Sequence, residues 1–321
     1  SESWLREWTN PDVSTEVLLD QLTMAGLEVE GVEGAGSLLD KVVIGEIVSI
    51  VQHPDADKLR VCQVSNGTET VAVVCGAPNA RQGLKVAFAQ VGAVLPSMKI
   101  KKAKLRGVAS FGMLCSGSEL ELSEGSNGIL ELPLNAPVGA SIYDYFELND
   151  HIIEVDLTPN RGDCLCVAGV AREVAAINRT DLKEVEWHEV NSTINDVFPL
   201  ELSASEACPH YVGRIIKGID SSAVTPVWMQ EKLRRSGLRP ISPVVDVTNY
   251  VMMEIGQPMH GFDFDQLEGG IVVRMAEAGE KVTLLDQSTV ECRADTLVIA
   301  DHKKTLALAG IMGGFDSSVQ G

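Results

Sequence analysis

Between Lys41 and Cys115 the chain breaks into short β-prone runs separated by turn residues, and this constrains the fold more than any other stretch. KVVIGEIVSIV reads as a strand, HPDADKL as a loop, and RVCQV–SNGT–ETVAVVCG as a hairpin around Asn66-Gly67, a pair suited to a tight β-turn. GLKVAFAQVGAVL and KIKKAKLRGVASFGMLC add further strands broken by glycine. Five short strands in about a hundred residues fit a small closed barrel such as an oligonucleotide-binding fold.

The flanks of this region look like halves of something else. Ser14 or Thr15 can cap a helix that runs to Gly26, followed by a strand near Val29–Val32. HIIEVD reads as a strand, Thr158-Pro159-Asn160 as a turn, and Val167, Val170/Ala171, Val174 and Ile177 follow helical spacing. Neither piece is large enough to fold alone. The expected architecture is therefore α+β and multidomain. Residues 1–38 and 149–190 make one small α+β domain into which the barrel, 39–148, is inserted. A polar, acidic linker at 191–207 leads to a larger α/β domain over 208–321. In that last part HYVGRIIKGI reads as a strand, and Thr225-Pro226 caps a helix that stops at Gly237. DTLVIAD and TLALAGIMGG are strands joined through His302-Lys303-Lys304.

With Lys+Arg 26 and Asp+Glu 45 the net charge is −19, which repels polyanions at long range and argues against DNA coating. No apolar run approaches the roughly 20 residues that span a bilayer. The seven cysteines are odd in number and contain no CxxC pair, and no HxxxH or HExxH occurs. Reduced thiols, a cytoplasmic setting and no metal site are the expectation.

Two stretches concentrate candidate chemistry. Lys99, Lys101, Lys102, Lys104 and Arg106 put five positive charges into eight residues of an acidic chain. They read either as a solvated edge that discourages sheet aggregation or as a strip that contacts phosphates. Val244–Asp263, VVDVTNYVMMEIGQPMHGFD, reads as a helix with Ser242 as N-cap and Pro243 in its first turn. Val247, Val251 and Ile255 form its buried stripe, and Gly256 and Pro258 end it. Its polar groups, Asp246, Thr248 and Asn249 at one end and Gln257, His260 and Asp263 at the other, read as caps and exit loop or as an active site. Gly310, Gly313 and Gly314 permit close backbone approach to a ligand or simply a turn. His53 and Asp55 fit a loop fixed by Pro54 better than a metal or acid–base pair, and Asp163-Cys164 fits a helix start better than a catalytic thiol.

Several of these runs match known families. His53–Arg60 (HPDADKLR) and Leu105–Ser116 (LRGVASFGMLCS) resemble the tRNA-binding oligonucleotide-fold domain of several synthetases and tRNA-binding factors. With TPNRGDCL at 158–165, AREVA at 171–175, DVTNY at 246–250 and GQPMH at 256–260, the whole chain resembles the bacterial phenylalanyl-tRNA synthetase β chain. The resemblance implies the N-terminal part of a longer subunit, with its last domain truncated. It implies tRNA(Phe) and the α chain as partners in an α2β2 heterotetramer. The α chain would hold the aminoacylation site with its ATP and Mg2+, leaving no cofactor for this chain. The last domain would hydrolyse tyrosine wrongly attached to tRNA(Phe). An apolar phenylalanine pocket rejects an added hydroxyl only on the order of 100-fold, so a second sieve is needed. Thr248, Asn249 and His260 would then line the editing pocket, with Gly310, Gly313 and Gly314 on another wall and the Lys99–Arg106 strip on tRNA. An acidic residue that reads the tyrosine hydroxyl would lie beyond Gly321. A tRNA-binding or subunit-docking module without catalysis is the alternative.

Overall fold

A computed structural model describes residues 1–125, 128–185, 188–220 and 222–319. The chain divides into two compact units, one of Ser1–Arg6 with Val13–Asp156 and one of Glu7–Asp12 with Leu157–Gly321.

In the first unit, helix α1 (Glu2–Trp8) is followed by α2 (Thr15–Met24), which Ser14 caps by accepting the Val17 N–H. Strand β1 (Glu28–Gly34) pairs antiparallel with β12 (His151–Asp156), so the two ends of the intervening segment meet in one ladder. That segment is the barrel. Strands β2 (Val42–Gln52), β3 (Arg60–Ser65), β4 (Thr70–Cys75), β5 (Lys85–Gln90) and β10 (Gly112–Leu114) form a sheet in the order β10-β5-β2-β3-β4, with β11 (Glu131–Leu132) also on β5. The sheet curls until its ends approach: Phe111 N–H donates to the Ala72 carbonyl at 2.8 Å. Ile47, Cys62, Val64, Val73, Val86 and Phe88 fill the interior. Two short hairpins stand off this sheet, β6 (Val94–Leu95) with β7 (Met98–Lys99) and β8 (Ala103–Leu105) with β9 (Val108–Ser110). The short helix α3 (Ile142–Tyr145) packs on β2.

The second unit contains helix α4 (Val167–Asn178), which packs against α6 (Pro243–Ile255), and just after α4 Thr180 and Lys183 bond to Thr9 and to the Trp8 carbonyl. The buried face of α4 is Ala168, Gly169, Ala171, Val174 and Ala175, while Ile177 is exposed. Small side chains let another helix come close, which the larger valine and isoleucine positions would prevent. Helix α5 (Val227–Arg234) precedes α6 and packs on it. A five-stranded sheet follows in the order β13-β14-β17-β18-β19: Leu200–Leu202, Ile271–Met275, Leu297–Ala300, Thr305–Leu308 and Met312–Gly313. Strands β15 (Lys281–Thr283) and β16 (Thr289–Glu291) make a separate hairpin.

Three expectations change here. All pairs of the five-stranded sheet except β13–β14 are antiparallel, so the unit is α+β rather than α/β. Short turns join β17 to β18 and β18 to β19, which permits only antiparallel pairing, while the one parallel pair, β13–β14, is joined by the long connection that carries α5 and α6. Leu200–Leu202, inside the stretch read as linker, is a strand on β14. Residues 210–219 form no strand: Val212, Ile216 and Ile219 are exposed, and the β-prone run finds no sheet edge to pair with among the described residues. No helix among the described residues is long and apolar enough to cross a membrane. All seven cysteines are free thiols, and no group of three or more metal-ligating side chains occurs among the described residues.

Candidate functional site

Helix α6 begins and ends where its sequence places it, but for partly different reasons. Ser242 occupies the N-cap position without making a side-chain cap, and Pro243 follows at the first helical position. Asp246 reaches back from inside the helix, its Oδ1 accepting the Ile241 N–H ahead of the cap at 2.8 Å. Gly256 closes the helix at φ 79, a left-handed conformation that favours glycine, and its N–H returns to the Met252 carbonyl. The stripe of Val247, Val251 and Ile255 is not the buried face. Val247 is 44% exposed, and Asp246 is the one buried residue of the helix among the described residues. Val251 and Ile255 are half-buried, so the apolar spacing marks one side of the helix but not the residue that packing buries most deeply.

Beyond Gly256 the chain doubles back along α6. The hydrogen of Gly261 that a side chain would replace faces Val244, since a Cβ there would lie 3.6 Å from Val244 Cγ1. Val244 and Thr248 are four residues apart and share one helix face, so the His260–Gly261 loop and Thr248 lie on the same side of α6. Phe262 bridges to Ser318, and Asp263 N–H donates to the Ser317 carbonyl, which fixes the loop on the chain that follows β19. The His260 ring stands directly on Gly313. A Cβ at Gly313 would meet His260 Cε1 at 2.2 Å and Nε2 at 2.7 Å. On its other flank the ring meets Phe262 edge-on, centroids 4.6 Å apart.

These contacts define the chemistry available. His260 makes no hydrogen bond within the described residues. The protein packed around its ring desolvates it and lowers its pKa below the ordinary histidine value, even though much of the residue's surface faces solvent. At neutral pH the imidazole is therefore uncharged, with one nitrogen able to accept and one to donate. The Thr248 hydroxyl donates to the Val245 carbonyl at 2.7 Å, which leaves its oxygen as an acceptor. Asn249 makes no hydrogen bond within the described residues. Gly314 lies beneath the same wall, donating to the Leu306 carbonyl, with no space for a side chain. Gly310 is placed differently: its φ of 71 makes a turn, and nothing lies within 4 Å of a Cβ there. The structure thus joins His260 to Gly313, and Thr248 to their side of α6, while Gly310 serves the turn.

In the barrel, the two sequence motifs meet. His53 is buried, accepts the Asp55 N–H on Nδ1 at 3.1 Å, and its Nε2 reaches the Leu105 carbonyl at 3.1 Å. With Nδ1 accepting, the proton sits on Nε2 and donates to Leu105. Arg106 closes the same junction on the Asp55 carbonyl. His53 is therefore a loop anchor, and it carries the β8–β9 hairpin. The basic strip is spread over both hairpins rather than along one edge strand. Lys99 lies on β7, Lys101 and Lys102 on the connection, Lys104 on β8 and Arg106 in the turn. All five are exposed, and among the described residues none is in an ion pair. Lys102 sits over the Phe111 ring, 4.5 Å from its centroid.

Comparison with known proteins agrees with both regions. The tRNA binding domain family matches residues 42–141, and the B3/4 domain family matches 207–321. The chain is 58% identical to the phenylalanine–tRNA ligase beta subunits of Hahella chejuensis and Pectobacterium atrosepticum, and 56% identical to that of Coxiella burnetii. Each alignment takes in 99% of this chain and 40% of the relative. Over 99% of its length the chain is similar to these phenylalanine–tRNA ligase beta subunits, and it spans 40% of their length. The crystal structure of a MetRS related protein from Pyrococcus horikoshii covers 32% of this chain at 25% identity and a TM-score of 0.25, too slight a likeness to argue from. The B3/4 match holds the whole His260–Gly313 wall, and the tRNA binding match holds the His53 junction and the strip. Sequence reasoning does not find Gly261, Phe262 or the Asp246–Thr225 bond. Only Asp246 carries a signal, as a charge set in the apolar run VVDVTNYV.

Proposed function

We propose that this chain is the tRNA-binding and proofreading part of a cytoplasmic phenylalanine–tRNA ligase. It would work with an alpha subunit, in an α2β2 assembly, that holds ATP, Mg2+ and the aminoacylation site. The B3/4 region would hydrolyse the ester of tyrosine wrongly attached to tRNA(Phe). The observation that carries this reading is the uncharged His260 ring held on Gly313 beside the Thr248 face of α6. An aminoacyl ester is already labile, so holding it and a water in line supplies much of the rate without a strong base. Thr248 offers an acceptor, Asn249 an unengaged carboxamide, and His260 both a donor and an acceptor. Gly313 lets the His260 ring lie against the backbone, and Gly314 lets the chain beneath it pack on the Leu306 carbonyl. The domain organisation that goes with this reading is the one drawn from sequence, with the barrel at 39–148 inserted in a small domain and the editing region over 208–321. The Lys99–Arg106 strip would contact tRNA phosphates.

His260→Ala in the complete enzyme is the test. Tyr-tRNA(Phe) hydrolysis is expected to fall while Phe-tRNA(Phe) synthesis continues. Unchanged hydrolysis would refute the assignment.

A further inference from the structure

Asp246 has no part in the reading above, yet among the described residues it is the most deeply buried charged side chain of the second unit, 1% exposed. A carboxylate out of water is costly unless its oxygens are hydrogen-bonded. Both are. Oδ2 accepts the Thr225 hydroxyl at 2.5 Å, and Oδ1 accepts the Ile241 N–H at 2.8 Å. Thr225 is itself buried, and its carbonyl accepts Gln230 Nε2 at 2.6 Å. One side chain therefore ties together the entry to α5, the entry to α6 and α6 itself. The Ser242 hydroxyl makes no side-chain cap at the start of α6.

The consequence reaches the candidate site through backbone. Val244 lies two residues before Asp246 and faces Gly261, which rests between Val244 Cγ1 and Val319 Cγ2. Gly261 follows His260, and Thr248 lies two residues after Asp246 on the helix. A change in the direction in which α6 starts would move the Thr248 face and the seat of the His260 loop together. We propose that Asp246 is a positioning residue for ester hydrolysis: by accepting from Thr225 and Ile241 it fixes the start of α6, and through Val244 it sets where the His260 loop lies. This inference rests on the editing reading. The role is geometric and does not need the charge. An asparagine oxygen can still accept from Ile241, and its NH2 can donate to the Thr225 oxygen once that hydroxyl has turned.

The test compares Asp246→Ala, Asp246→Asn, Thr225→Val and His260→Ala in the complete enzyme, measuring single-turnover and steady-state hydrolysis of Tyr-tRNA(Phe). Asp246→Ala is expected to lower kcat by about 10- to 100-fold, the scale of a misplacement of about 1 Å, with little change in KM. Thr225→Val, which removes one of the two bonds, should lose less, and Asp246→Asn should stay within about threefold of the parent. A purely structural role would reduce the folded fraction and leave kcat per folded molecule intact, so activity is normalised to the cooperative unfolding amplitude. If Asp246→Ala does not fold, Thr225→Val decides. Asp246→Asn as damaged as Asp246→Ala would overturn the geometric role in favour of charge. Parental kcat in Asp246→Ala, or in Thr225→Val where that decides, with His260→Ala inactive would overturn the positioning role alone. Parental hydrolysis in His260→Ala would overturn the editing reading and this inference with it.

Discussion

A single methyl group added at Gly313 tests the geometry of the His260 wall. In Gly313→Ala the new Cβ would lie 2.2 Å from His260 Cε1 and 2.7 Å from Nε2. Carbon atoms rest at about 3.5 Å or more, so one partner must give way by roughly 1.3 Å. The Gly313 backbone is poorly placed to yield. It pairs with Ala307 on β18, and its carbonyl accepts the Leu285 N–H at 3.1 Å. The ring is freer, because it makes no hydrogen bond within the described residues and part of its surface faces solvent. It cannot move towards Phe262, whose ring lies at 4.6 Å and whose backbone is bridged to Ser318. The expected outcome is an imidazole swung outward by more than 1 Å, with folding little affected. Displacement of a positioned group by about 1 Å costs on the order of 100-fold in rate. Single-turnover hydrolysis of Tyr-tRNA(Phe) by the complete enzyme should fall by about that factor, with Phe-tRNA(Phe) synthesis retained. Hydrolysis within twofold of the parent, alongside an inactive His260→Ala, would show that the ring's seat on Gly313 is irrelevant to the chemistry.

Other expectations follow from the same geometry. Desolvation holds the His260 pKa below its ordinary value, so the ring stays neutral to a lower pH than an ordinary histidine does. Hydrolysis should therefore persist to more acidic pH than an ordinary histidine would allow, and the acid limb should vanish in His260→Gln. Because the folded pKa is depressed, His260 also contributes stability above the unfolded value that is lost as pH drops towards the folded one; urea unfolding of parent and His260→Gln across that range would show it. Reversing Lys101, Lys102 and Lys104 to glutamate should weaken tRNA binding and flatten its salt dependence by roughly 0.7–0.9 for each phosphate no longer neutralised, and an unaltered slope in filter binding would rule the strip out. His53→Ala leaves the Leu105 carbonyl and the Asp55 N–H without their partner, and should destabilise the barrel by about 1–3 kcal/mol in chemical denaturation; hydrogen exchange should rise first in 103–110.

The barrel is the most legible part of the sequence because its turns are written locally. Asn66-Gly67 and the period-two runs on either side need no distant partner to be recognised, and β3 and β4 pair in that register. The ends of α2 and α6 are legible for the same reason, through Ser14 and Gly256. Facing is harder. The apolar residues of α4 and α6 outnumber those the core uses, so spacing alone selects Ile177 and Val247 where packing selects Ala175 and Asp246. Residues 210–219 show the reverse error: strand propensity is present, but a strand exists only where an edge receives it. At the candidate site, His260 and the glycines are visible as residue types. Their juxtaposition is not, because it spans more than fifty residues and depends on a loop turning back over Val244.

The ladder between β1 and β12 bears on how such a chain could have been assembled. Gly34 stands opposite His151, and Ala35 N–H donates to the Asp150 carbonyl at 2.8 Å. The excursion from 35 to 150 thus leaves and re-enters at a single ladder rung, where facing backbones are only about 5 Å apart. A two-residue hairpin would bridge that gap as well as the barrel does. Topologically, a short turn in place of the barrel would preserve the register in which β1 and β12 pair.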